Sequence, residues 1–139
     1  MINSITINYK KQFINLGLQV NDKFDKLFSL DNILNDSNNI LFGYFEHDEL
    51  RGFIHLIKLV DELEIINIVV DKKYRNQGIG SKLLEYVFSN VDGIKNVFLE
   101  VNVNNKNAIK LYEKYDFKLI NIRNNYYGND DCYVMRKEL

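Results

Sequence analysis

Residues 63–81 read LEIINIVVDKKYRNQGIGS, and this stretch determines both the fold and the position of the site. Its first eight residues are almost entirely apolar, which is typical of a strand covered on both faces. Gly78 and Gly80 follow, and beyond them apolar side chains recur at helical spacing as far as Phe88. The stretch therefore predicts a buried strand, a glycine-containing turn and a helix.

The flanking sequence extends this unit in both directions. Before it, the sequence predicts a strand at 4–9, two short helices between about 12 and 35, and strands at 40–45 and 51–59. After it, the sequence predicts a strand at 97–103 and a helix beginning after Asn104 or Asn105. The last two strands are predicted at 117–122 and 132–136, joined by a turn at 124–131. The order is β-α-α-β-β-β-α-β-α-β-β. The helix between strands 63–70 and 97–103 makes them parallel, whereas the hairpins are antiparallel. We therefore expect a three-layer α/β fold with a mixed, mostly antiparallel sheet that contains one central parallel pair.

The composition excludes several classes of protein. The 139 residues are enough for a single domain spanning 1–139, and 46% of them are hydrophobic, which rules out global disorder. Eighteen basic and 19 acidic side chains leave a net charge of −1, which argues against a nucleic-acid partner bound through a basic surface. The sequence predicts neither a membrane span nor a signal peptide, so we expect a cytoplasmic protein. One Cys and two His are too few for the four ligands of a Cys/His zinc site, so the sequence argues against such a site.

The turn between the buried strand and the helix is a candidate anion site. Glycines let the backbone curl tightly and let a ligand approach closely, and amides of the first helical turn attract a diphosphate. A nucleoside-triphosphate loop needs a Lys after its last Gly, and a dinucleotide fingerprint needs a third Gly where Leu83 stands, so both are disfavoured. The alternative is an ordinary glycine-containing turn.

Glu100 is the candidate acid–base side chain. Strand 97–103 alternates, with Val97 and Leu99 on one face and Glu100 on the other. A carboxylate on that second face could point into a cleft. The alternative is a solvated glutamate on a strand.

Two motifs support a resemblance to a known superfamily. RNQGIGSKLLEYV at 75–87 resembles the acyl-coenzyme A binding motif of the GNAT N-acetyltransferases, and NNKNAIKLYEKYDF at 104–117 resembles their second motif. Within the superfamily the chain is most similar to the ribosomal-protein alanine N-acetyltransferases, the RimI type. INIVVD at 66–71, FLEVNVNN at 98–105 and IRNNYYGNDDCYVM at 122–135 carry that similarity.

The resemblance implies acetyl-CoA as co-substrate, with no metal, and a set of cofactor-binding residues. The backbone of Ile68, Val69 and Val70 would bind the pantetheine arm as an added strand. The residues implied for the pyrophosphate and the rest of the cofactor are Arg75, Asn76, Gln77, Gly78, Ile79, Gly80, Ser81 and Asn105. Asn105 could equally be a helix cap.

The resemblance also implies roles for side chains that would act on the acceptor. Glu100 would be the general base and Tyr112 the general acid, although Tyr112 also fits a core aromatic on the apolar stripe of its helix. Tyr126 and Tyr127, expected in the last turn, would bind the acceptor or else form a small hydrophobic cluster. Cys132, His47 and His55 are interpreted as structural.

Two positions depart from the second motif and its surroundings. Asp116 stands where the motif has Gly, and because Asp tolerates left-handed backbone, the helix end is expected to survive. Asn102 replaces a usual Arg.

The implied reaction is acetyl transfer to a primary amine. The acceptor implied by the resemblance is the N-terminal alanine of a ribosomal protein. A small amine such as a polyamine or an amino sugar is a second acceptor class, and a non-catalytic coenzyme A binding module is an alternative of a different kind.

Overall fold

The apolar run of the sequence becomes the fourth of seven strands. This computed structural model describes residues 1–127 and 130–139, with the backbone alone at 125–127. The strands are β1 Ile2–Ser4, β2 Asn39–Glu46, β3 Glu49–Leu59, β4 Glu62–Val70, β5 Asn96–Asn102, β6 Lys118–Tyr127 and β7 Asp130–Glu138. The α-helices are α1 Lys10–Leu18, α2 Phe24–Leu27, α3 Leu30–Asn35, α4 Ile79–Asn90 and α5 Lys106–Lys114.

The seven strands form one mixed sheet in the order β1-β2-β3-β4-β5-β7-β6. Strands β4 and β5 are parallel, with register from Glu62 opposite Asn96 to Ile65 opposite Leu99. Hairpin β2–β3 and the neighbouring pairs β5–β7 and β6–β7 are antiparallel. The predicted mixed α/β fold with a parallel pair is confirmed, because α4 provides the crossover that makes β4 and β5 run the same way.

The chain divides into two compact units, each built from discontinuous segments. The first comprises Met1–Ile57 and Asn67–Val91. Its core is aromatic: the ring of Phe13 lies 5.4 Å from that of Phe24 and 4.6 Å from that of Phe53. Gly17 lies inside α1, where a side chain would collide with the ring of Phe24.

The second unit comprises Lys58–Ile66 and Asp92–Leu139. In β5 the alternating residues Val97 and Leu99 are buried, as predicted. Just after helix α5, Asp116 has φ +68°, and the amide of Phe117 donates to the carbonyl of Tyr112 over 3.1 Å. This is a left-handed helix end of the kind that usually takes Gly, so the expectation for Asp116 is confirmed.

The N-terminal third differs from the sequence prediction. The strand predicted at 4–9 is wrong beyond its first residue: β1 is Ile2–Ser4, and Ile7–Tyr9 form a 3-10 turn that leads into α1. The alternation is misleading because Ile5 is buried in the core whereas Ile7 is exposed. Three short helices replace the predicted two, since Ser29 caps a separate helix by accepting from the amide of Asn32 over 3.3 Å.

The last hairpin is longer than predicted. Strand β6 continues to Tyr127, which is opposite Asp130 in β7. Tyr126 and Tyr127 therefore belong to a strand rather than to the turn, while their side chains lie outside the described residues. Among the described helices, none combines the length and the apolar character that crossing a bilayer requires.

Candidate functional site

The turn between β4 and α4 has the backbone expected of an anion site. Asn76 has φ +64° and Gly78 has φ +82°, and Gly78 is the residue that precedes the helix. A Cβ at Gly78 would meet no atom within 4 Å, so the space beside this backbone is open. The amides of the first helical turn have no carbonyl partner within the helix, and the helix dipole adds positive potential there. The turn therefore fits a diphosphate.

Two sets of contacts anchor the segment that enters this turn. The buried carboxylate of Asp71 accepts from the amide of Lys73 over 3.1 Å and from Nε2 of Gln19 over 3.3 Å. Oε1 of Gln19 accepts in turn from the amide of Lys72 over 3.0 Å. Gln19, the residue that follows α1, was not singled out from the sequence, because nothing local marks its partner 52 residues away.

The second anchor is an aromatic ring between two charged groups. The guanidinium carbon of Arg51 lies 4.0 Å from the ring centre of Tyr74. The hydroxyl of Tyr74 donates to Glu49 over 2.8 Å, and this hydrogen bond raises the pKa of Tyr74. Nε of Arg51 also donates to Glu49 over 3.0 Å. The three side chains fix residue 74 ahead of the turn, and sequence reasoning missed them.

The end of β4 is held close to β3. Among the described residues, the register between β4 and β5 stops at Ile65 opposite Leu99, before the predicted pantetheine segment at 68–70. A Cβ at Gly52 in β3 would lie 2.9 Å from the carbonyl oxygen of Val69 and 3.0 Å from Cγ2 of Ile79. Because Gly52 has no side chain, the end of β4 and the start of α4 can lie this close to β3. The sequence alone did not single out Gly52.

Glu100 lies on the half-exposed face of β5, as predicted. Its side chain is 21% exposed, and Nη1 of Arg123 donates to its Oε1 over 2.7 Å. Glu100 is therefore neither a fully solvated glutamate nor an isolated one. Arg123 was not identified from the sequence.

Tyr112 and Asn105 both show the structural role that the sequence left open. Tyr112 is 5% exposed, and its ring packs edge-on against Phe117 at 5.6 Å between centres. The side-chain oxygen of Asn105 caps α5 by accepting from the amide of Ala108 over 3.2 Å. A contact of either residue with the substrates stays a prediction.

The other singled-out side chains have structural environments. His55 is 3% exposed, and burial lowers its pKa to about 4. Its Nε2 lies 2.6 Å from Oδ1 of Asn39. Cys132 is fully buried, which agrees with its interpretation as a small core residue. Within residues 1–127 and 130–139, no three His, Cys, Asp or Glu side chains are grouped so as to hold a metal ion.

The predicted site residues fall into the two units described above. The pantetheine segment and the turn, residues 68–81, belong to the first unit, whereas Glu100, Asn105 and Tyr112 belong to the second.

Comparison with known proteins gives one family and several relatives. The family model described as "Acetyltransferase (GNAT) family" matches residues 9–117. The [Ribosomal protein bS18]-alanine N-acetyltransferase of Escherichia coli (strain K12) is 34% identical over 100 residues, which are 68% of this chain and 68% of that protein. An N-alpha-acetyltransferase of Saccharolobus solfataricus is 36% identical over 109 residues, 73% of this chain and 65% of that protein.

Solved structures share the fold. The crystal structure of the ribosomal-protein-S18-alanine N-acetyltransferase from Escherichia coli has a TM-score of 0.88 at 24% identity, covering 99% of this chain and 92% of that one. An aminoglycoside 6'-N-acetyltransferase complexed with coenzyme A has a TM-score of 0.82 at 19% identity, covering 99% and 96%. At these identities the likeness concerns the fold.

Proposed function

We propose a specific acceptor from the premise that this chain belongs to the acetyltransferase (GNAT) family and is an acetyl-CoA-dependent N-acetyltransferase. The proposed acceptor is the N-terminal alanine of a ribosomal protein. Support for the acceptor comes from the relatives at 34% identity that bear this activity in their names. The proposal treats residues 1–139 as a single catalytic domain. Each compact unit combines segments from different parts of the chain, so neither corresponds to one continuous piece of sequence.

The observation that carries the cofactor part is the pair of left-handed residues at Asn76 and Gly78, directly before α4. We assign the backbone amides of residues 76–81 to the pyrophosphate of acetyl-CoA, because a helix start with adjacent curled backbone presents several N–H groups to one anion. Ile68, Val69 and Val70 hold the pantetheine arm through their backbone. Arg75, whose Nε donates to the carbonyl of Val70 over 3.2 Å, and Asn105 complete the set.

Glu100 is the general base of the proposed reaction. An N-terminal amine has a pKa of about 7.7–8.0, so most of it is protonated at neutral pH and cannot attack a thioester. Glu100 takes the proton, directly or through a water, as the amine nitrogen bonds to the carbonyl carbon. A lysine amine near pKa 10.4 would cost roughly 3.5 kcal/mol more to deprotonate, which favours N-termini as acceptors.

Tyr112 is the proposed general acid. The carbon–sulfur bond breaks, and the departing thiolate takes a proton from the phenol. The nitrogen keeps one hydrogen in the amide, and its second departing proton goes to solvent, from which the phenolate is protonated again. A thiol has a pKa near 8.5 and a phenol near 10, so the transfer from phenol to thiolate is modestly uphill. We therefore expect Tyr112→Phe, which keeps the ring that packs on Phe117, to lower kcat less than a change at Glu100 does.

Tyr126 and Tyr127 are proposed to contact the acceptor peptide. Aromatic side chains with a hydroxyl combine apolar contact with a hydrogen-bonding tip, which suits a peptide backbone.

Acceptor profiling tests the proposed substrate. Short peptides that begin with alanine, free polyamines and aminoglycosides are each offered with acetyl-CoA, and thiol release is measured. We expect turnover with the alanine peptides. Turnover of the small amines alone would contradict the proposed acceptor and favour the second substrate class.

A second experiment separates an enzyme from a binding module. Glu100→Gln should lower kcat by roughly 10²–10⁴ while the affinity for acetyl-CoA stays unchanged. Glu138→Gln is the matched control, because Glu138 also lies on the sheet and pairs with an arginine, over 3.2 Å, but is 75% exposed. A wild-type rate in Glu100→Gln would remove Glu100 from the mechanism. Binding of acetyl-CoA without turnover of any amine would favour the non-catalytic coenzyme A binding module.

A further inference from the structure

The 2.7 Å contact between Arg123 and Glu100 joins two strands that are not neighbours in the sheet. We propose that Arg123 is a positioning residue that holds the carboxylate of Glu100 in the orientation required for proton transfer. This inference rests on the proposed role of Glu100 as general base.

The sheet register explains how the two side chains meet. Opposite residues of an antiparallel ladder share a face. Two adjacent rows cross strands β5, β7 and β6 in that order: Glu100, Val134 and Asn121 form the first, and Asn102, Cys132 and Arg123 form the second. Arg123 thus lies on the face of Glu100, one row further along the strands. Two strand spacings of roughly 4.8 Å separate β5 from β6. Neither side chain covers that distance alone, whereas the two together do.

The contact is better suited to orientation than to stability. The Arg123 side chain is 50% exposed, and ion pairs that are open to solvent contribute only about 0–1 kcal/mol to folding. A charge-assisted hydrogen bond from a planar guanidinium nevertheless fixes the direction of a carboxylate. With Oε1 oriented by Arg123, we assign proton transfer to Oε2. A base displaced by about 1 Å can lose on the order of 10²-fold in rate, so this orientation matters for kcat.

A second arginine of the same sheet provides a matched control. Arg136 in β7 pairs with Glu138 over 3.2 Å, and its side chain is 41% exposed. Both arginines are half-exposed and form an ion pair on the sheet, but only the partner of Arg123 is the proposed base. A general effect of removing a sheet arginine would therefore appear in both variants.

The test compares steady-state kinetics of Arg123→Gln, Arg123→Lys and Arg136→Gln with an alanine-starting peptide and acetyl-CoA. Arg123→Gln should lower kcat on the order of 10-fold or more while KM for acetyl-CoA changes less than about twofold. Arg123→Lys should recover part of kcat, since it restores a cation without the planar fork. Arg136→Gln should keep the wild-type kcat.

A double variant shows whether Arg123 acts through Glu100. In the Glu100→Gln background there is no carboxylate to orient, so Arg123→Gln should cause no further loss. Additive losses, or a wild-type kcat in Arg123→Gln, would overturn the inference while the role of Glu100 stood. A wild-type rate in Glu100→Gln alone would instead overturn the proposed base, and the inference with it. Should Arg123→Gln fold poorly by circular dichroism, the same comparisons are made with Arg123→Met, which removes the cation and keeps a long unbranched side chain.

Discussion

Gly78→Ala places one methyl group in the turn that we assign to the pyrophosphate. The added Cβ meets no protein atom within 4 Å, so its cost to the apo protein comes from the backbone alone. At φ +82° that cost is about 1–2 kcal/mol for a residue with a side chain. If the phosphate binds at this turn as we propose, the methyl group competes with it for the open space, and losing one charge-assisted hydrogen bond costs about 1.5–3 kcal/mol. The dissociation constant of coenzyme A should therefore rise by roughly 10- to 150-fold.

Gly93→Ala is the control for this substitution. Gly93 has φ +72° and equally open surroundings, but it lies in the loop between α4 and β5. Urea unfolding should show a similar loss of stability in both variants, while titration calorimetry with coenzyme A should show weaker binding for Gly78→Ala alone. Equal affinities of the two variants would refute the assignment of this turn to the pyrophosphate.

Three further predictions concern the scaffold. Gly52→Ala should lower the free energy of unfolding by about 1–3 kcal/mol in urea titrations, because its Cβ would lie 2.9 Å from the carbonyl of Val69; unchanged stability would contradict the close approach. His55 has its pKa lowered to about 4 by burial, so between that value and 6.5 the unfolded chain takes up a proton that the folded chain does not. The free energy of unfolding should therefore be close to its maximum at pH 7 and about 2 kcal/mol lower at pH 5. His55→Gln removes the buried imidazole and should remove this part of the pH dependence. Asp116→Gly should raise the melting temperature, since Gly relieves about 1 kcal/mol of left-handed strain at φ +68°; a lower melting temperature would argue against that strain.

The sequence predicts those features that local pattern controls. The apolar run before Gly78, the helical period after it and the alternation in β5 each involve residues within one element, so spacing alone identifies them. The N-terminal strand fails for the same reason. Alternation there places Ile5 and Ile7 on one side, but the chain buries the first and turns into a 3-10 helix at the second.

The contacts that hold the candidate site depend on tertiary pairing. Tyr74 meets Glu49 across 25 residues, and Gln19 meets Asp71 across 52. Arg123 reaches Glu100 only because the sheet order places β7 between their strands. No periodicity in the chain marks such pairs. Residues of this kind emerge only when the register of the sheet is known.

The amide of Gln19 has a mechanical consequence. Gln19 lies directly after α1, and its side-chain amide donates to Asp71 and accepts from the backbone amide of Lys72, two consecutive residues after β4. These two hydrogen bonds link the end of α1 to the loop after β4. We therefore expect acetyl-CoA bound at the turn to restrict the end of α1 as well as the loop, which hydrogen exchange of the α1 amides with and without coenzyme A would measure.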